Sequence, residues 1–109
     1  MKQFDFIIVL TTFEREEDAL KMAEYLVDRK LAACVQIMPI KSIYRWKGKM
    51  ARADEYLCLI KTMKDLYEAV KMEIKEHHPY EVPEIIAVPI TDGSDDYLNW
   101  LRDSLGADY

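Results

Sequence analysis

Glycine is scarce in this chain: Gly48, Gly93 and Gly106 are the only three in 109 residues, too scattered for a glycine-rich loop around a phosphate. Cysteine is also sparse, at Cys34 and Cys58 only, and neither has the CxxC-type spacing of a metal site. Each lies in an apolar strand-like run. A hairpin turning at Lys47-Gly48 or Gly48-Lys49 sets Cys58 opposite Ile37 or Pro39 rather than Cys34, so reduced, buried thiols are expected instead of a disulfide. Such thiols fit a cytoplasmic protein. There is no long hydrophobic run either. The stretch Phe6 to Leu10 is too short to span a bilayer, and no small-residue cleavage site follows it, so neither membrane association nor a signal peptide is expected. Basic excess is missing as well. The net charge of −5 argues against a general nucleic-acid binder, which needs a basic face.

What is present is an ordinary globular composition, half apolar and a third charged, of a length that suits one domain over residues 1–109. Phe4 to Thr12 reads as a strand that is apolar at successive positions, which implies cover on both faces. Glu14 to Arg29 reads as a helix, with Ala19, Met22, Ala23, Leu26 and Val27 on one side. Leu31 to Trp46 is a long second strand, in which Pro39 predicts a bulge or an edge position. After a turn at Lys47-Gly48-Lys49, Asp54 to Thr62 returns as the third strand. Thr62 and Asp65 read as a capping box for a second helix whose inward stripe is Leu66, Ala69, Val70, Ile74 and His77. Glu84 to Ile90 is the fourth strand. Asp92-Gly93-Ser94 then turns into a short helix, Asp95 to about Leu105, with Tyr97, Leu98 and Leu101 inward.

The order β-α-β-β-α-β plus a last helix predicts an α+β arrangement: an antiparallel sheet with both main helices on one face. That leaves apolar residues of strands one, three and four on the uncovered face. Such a patch marks an interface, so an oligomer packed sheet against sheet is expected.

Between the second helix and the fourth strand runs His77-His78-Pro79-Tyr80-Glu81-Val82-Pro83-Glu84, which carries the only two histidines. Pro79 disfavours helix at His78, and Pro83 fixes φ just before the strand, so this connector is stiff. His77 and His78 are candidate metal ligands, with Glu76, Glu81 and Glu84 as nearby oxygen donors. Adjacent helical side chains diverge by about 100°, and His77 also suits a structural place at the helix end, where the dipole favours its charged form.

A second candidate is the basic-aromatic strip Lys41, Tyr44, Arg45, Trp46, Lys47, Lys49 and Arg52. It suits either single-stranded nucleic acid or an intersubunit hairpin. The aromatic signature of an RNA-recognition sheet is missing from Asp54 to Thr62, so nucleic acid is not the expected partner. A third is a small-ligand pocket between subunits around Trp46, Lys61, Tyr80 and Glu84. No Ser-His-Asp or Cys-His arrangement stands out. An acylphosphatase-type site would need glycines in Thr11-Thr12-Phe13-Glu14-Arg15 and a catalytic asparagine, and the one asparagine is Asn99 in the last helix. An enzyme is not expected.

Leu31-Ala32-Ala33-Cys34-Val35, Ser42-Ile43-Tyr44-Arg45-Trp46-Lys47-Gly48-Lys49, Ile60-Lys61-Thr62, His78-Pro79-Tyr80-Glu81-Val82-Pro83-Glu84-Ile85 and Tyr97-Leu98-Asn99-Trp100 together resemble the CutA family of divalent-cation tolerance proteins. The resemblance implies an α+β ferredoxin-like βαββαβ sandwich in a tight homotrimer with its three sheets around the threefold axis. It also implies a role in tolerance to divalent metals, with copper or another divalent cation held at the histidine pair and at a cysteine ending the first strand. The matching position here is Leu10, followed by Thr11 and Thr12. The soft thiolate that selects Cu(I) is therefore missing, and the implied binding is weak.

Overall fold

The structure, a computed structural model, describes residues 5–106. Strand β1 (Phe6–Phe13) leads into helix α1 (Glu16–Asp28), and strands β2 (Cys34–Trp46) and β3 (Lys49–Met63) form a long hairpin. A 3-10 turn (Lys64–Leu66) enters helix α2 (Tyr67–His77), followed by β4 (Ile86–Pro89) and helix α3 (Asp95–Ser104). The strands form one antiparallel sheet in the order β2-β3-β1-β4. This is the antiparallel α+β arrangement expected from the element order, and the ferredoxin-like fold that the family resemblance implies. The start assigned to β1 at Phe4 lies outside the described residues.

Pairing explains the hairpin. Trp46 is opposite Lys49, so Lys47 and Gly48 alone make the turn, at φ of 51° and 78°. Two successive left-handed residues form the turn whose twist matches the strands, and glycine takes the second place at no steric cost. The ladder then runs unbroken to Cys34 opposite Lys61, with Ile37 opposite Cys58. Both cysteines are free. Pro39 causes no bulge, because β2 is an edge strand. Strand β3 starts at Lys49 and not at Asp54, since the turn itself imposes the pairing on the polar residues 49–54.

One sheet face carries Ile7, Val9, Phe13, Cys58 and Ile60 against Ala19, Met22 and Leu26 of α1 and Val70 and Ile74 of α2. The stripe of α2 stops short of His77, which is exposed. Thr62 is not a cap. It stays in β3, fully buried, and donates to the Leu31 carbonyl at 2.7 Å, while Met63 precedes the 3-10 turn with no side-chain cap. Ser94, by contrast, does cap α3, its oxygen accepting from the Tyr97 N–H.

The other face alternates with the first along each strand. Helix α3 covers one end of it, packing Leu98, Leu101 and Leu105 on Phe6 and Met63. Tyr97 points away from that contact and is 39% exposed, contrary to its assignment inward, because its ring pairs with Trp100 and Lys61 instead. The remainder of the face, with Ile8, Leu10, Leu57, Leu59, Met38, Ile86 and Val88, has no cover among the described residues, and Ile86 and Met38 are 50% and 45% exposed. Leu26 is fully buried on the covered face, so Leu26→Ala should cost about 2–5 kcal/mol in chemical denaturation. Leu20→Ala, on the exposed side of the same helix, should stay within about 0.5 kcal/mol.

Candidate functional site

Helix α2 ends at His77 because Pro79 holds the preceding residue in extended backbone, and His78 has φ −81° and ψ 134°. The connector therefore turns back across the sheet at His78 rather than continuing away from it. The His78 ring stacks on Phe13, with centroids 4.2 Å apart and planes 12° from parallel. Its Nδ1 accepts from the Tyr80 N–H at 3.1 Å, which places the ring proton on Nε2, donated to the Thr12 carbonyl at 2.7 Å. Both nitrogens are thus engaged, and only the neutral ring can make both bonds. Burial lowers the His78 pKa below the ordinary histidine value; the Thr12 carbonyl, Asp18 and Glu55 oppose that shift.

Tyr80 continues the chain of contacts. Its hydroxyl donates to Glu55 Oε2 at 2.7 Å. Burial first, then the Glu55 carboxylate, raise the Tyr80 phenol far above its ordinary value, so it remains a donor at any physiological pH. Glu55 projects from the middle of β3 onto the open face and is 6% exposed. Above it lies a cleft of about 670 Å³ between the β2–β3 hairpin and the connector, lined by Thr12, Ser42, Tyr44, Trp46, Glu55, Tyr80, Glu81 and Glu84 among others. Its size falls within the ordinary range for small-ligand sites.

Of the expected pocket residues, Trp46, Tyr80 and Glu84 meet in this cleft. Lys61 does not join them within the subunit. It lies toward the other end of β3, opposite Cys34, with its ammonium on the Tyr97 hydroxyl at 3.2 Å. Glu55 was not among the expected residues. Its signal was a carboxylate falling in step with Leu57 and Leu59, on a face that the strand pattern otherwise keeps apolar.

The histidine pair divides into two roles. His77 Nδ1 bonds the Glu73 carbonyl at 3.0 Å and lies 3.6 Å from Glu73 Oε2, a buried oxygen with no hydrogen-bond partner among the described residues. No group of three or more His, Cys, Asp or Glu side chains among the described residues is arranged to hold a metal ion. His77 can offer a metal its exposed ring edge. His78 can do so only by giving up the Tyr80 or the Thr12 bond. The residues therefore fit loose contact with a divalent ion and do not form a closed coordination site.

Because the folded state requires neutral His78 while the unfolded chain binds a proton near the ordinary value, its contribution to stability is complete at neutral pH and is lost on acidification. The melting temperature of the protein should fall between about pH 7 and about pH 5, and the fall should be shallower in His78→Gln, which does not titrate.

A family model described as CutA1 divalent ion tolerance protein matches residues 7–104. The divalent-cation tolerance protein CutA of Thermus thermophilus is 46% identical over 100 residues, covering 91% of this chain and 97% of that protein. The chloroplastic protein CutA of Arabidopsis thaliana is also 46% identical; the alignment covers 90% of this chain and 54% of that longer protein. Among solved structures, CutA of Synechococcus elongatus superposes with a TM-score of 0.91 at 37% identity, covering 97% of this chain and 95% of that one. The periplasmic divalent cation tolerance protein CutA of Archaeoglobus fulgidus gives 0.90 at 36% identity, covering 93% and 99%. With the fold and nearly the whole length in agreement, the chain belongs to the CutA1 divalent ion tolerance family.

Proposed function

We propose that the protein serves divalent-cation tolerance as a cytoplasmic homotrimer, in which the open sheet faces of three subunits pack together. The observation that carries this reading is the uncovered apolar face of β1, β3 and β4. Burying several hundred Å2 of such surface is worth many kcal/mol at about 25 cal/mol per Å2, before the costs of association. The free cysteines fit a reducing compartment. Divalent metal, copper included, is bound weakly near His77 and His78, with the exposed His77 ring as the accessible donor.

A second reading is favoured by the cleft at Trp46, Tyr80 and Glu84: a trimeric module that binds a small molecule or a protein and requires no metal. The two readings share the trimer and differ in what it holds.

Sedimentation at about micromolar concentration should give a three-subunit particle, and Leu59→Asp on the open face should dissociate it. A single-copy wild-type particle would overturn the assembly. Calorimetry with Cu(II) and Zn(II) should give weak binding heats that disappear in the His77→Ala/His78→Ala double variant. Equal heats in both proteins would remove the histidine site.

A further inference from the structure

We propose that the cleft between the β2–β3 hairpin and the connector binds an organic cation, an amine or guanidine carried on an apolar body. This deepens the second reading above and rests on it. Glu55 is the first ground. It is a carboxylate at 6% exposure, and its hydrogen-bond partner among the described residues is the neutral phenol of Tyr80. No ion pair of Glu55 occurs among the described residues, and a buried carboxylate without a cation is costly to keep charged. With one oxygen on Tyr80, its remaining acceptor capacity suits a charged donor entering the cleft.

The lining is the second ground. Tyr44, Trp46 and Tyr80 contribute aromatic rings, Glu81 and Glu84 add carboxylates at the rim, and no lysine or arginine among the described residues lines the space. Aromatic faces attract ammonium and guanidinium groups through the ring quadrupole. The Trp46 ring already has such a neighbour, with Lys47 Nζ over it 5.9 Å from the centroid.

The third ground separates an organic cation from a metal ion. The carboxylates of the cleft are not grouped as a metal would need, since no cluster of three such ligands occurs among the described residues. A divalent metal needs its oxygens drawn in to about 2–2.6 Å. A larger cation can reach Glu55 with its charged end and leave its apolar part against Tyr44 and Trp46. The volume of about 670 Å³ accommodates such a molecule.

The test uses the full chain in its native assembly, with calorimetric titration of three probes of one shape: benzylamine, benzyl alcohol and benzoate. Benzylamine should bind about tenfold or more tightly than the other two. Glu55→Gln should reduce that preference to about the level of the alcohol, and Trp46→Ala, at a half-exposed position, should weaken all binding. If Glu55→Gln does not fold, Glu84→Gln at the exposed rim should still narrow the preference by about threefold. Benzyl alcohol or benzoate binding as tightly as benzylamine would overturn the cation and leave the cleft as a ligand site. No binding by any probe would overturn both the cation and the pocket reading. A benzylamine-soaked crystal with a lysine or arginine of a neighbouring subunit on Glu55 would likewise overturn the proposal.

Discussion

Two adjacent strands, β1 and β3, are apolar on both of their faces, and the helices among the described residues cover only one. Everything else in the architecture answers to that mismatch. On the covered side, α1 and α2 bury Val9, Ile60 and their neighbours completely, and the subunit obtains its core there. On the other side, α3 is long enough to seal only Phe6 and Met63 at one end. The rest of that face remains apolar and half-exposed, which a single subunit in water tolerates poorly. The proposed trimer resolves it, because a head-to-tail contact repeated by a threefold rotation closes into a ring with the open faces turned inward.

The same face also carries the cleft, and the two are built from the same strands. Ser42, Tyr44 and Trp46 of β2, Glu55 of β3 and Thr12 of β1 all alternate onto the open side. Apolar residues dominate at the α3 end and near the middle, and the surface turns aromatic and acidic toward the hairpin. The connector closes this polar end. It is held by a neutral histidine bonded at both ring nitrogens and by a phenol bonded to a buried carboxylate. A stiff segment with two prolines is suited to this task, since little conformational freedom is lost when it docks.

The histidine pair shows how sequence adjacency misleads about chemistry. His77 and His78 stand side by side in the chain, but the helix ends between them. His77 remains on the helix surface beside Glu73, while His78 turns inward onto Phe13 and the Thr12 carbonyl. Pro79 causes the division, and that much was readable from the residue before a proline. The destination of the His78 ring was not readable, because Thr12 lies 66 positions away.

By itself the sequence determined the element order, the two-faced strands, the hairpin turn at Lys47-Gly48 and the register that keeps Cys34 from Cys58. These follow from local periodicity, turn chemistry and the residues on either side of one tight turn. Local rules failed where a distant partner intervened. Thr62 resembles a helix cap until the Leu31 carbonyl takes its hydroxyl, and Tyr97 resembles a core residue until Lys61 and Trp100 draw it outward. The site depended on tertiary structure most of all. Trp46, Tyr80 and Glu84 were recognisable as candidates, but only the folded sheet separates Lys61 from them and sets Glu55 beneath Tyr80. A buried carboxylate and its phenol come from different elements, and no periodicity within either one encodes their meeting.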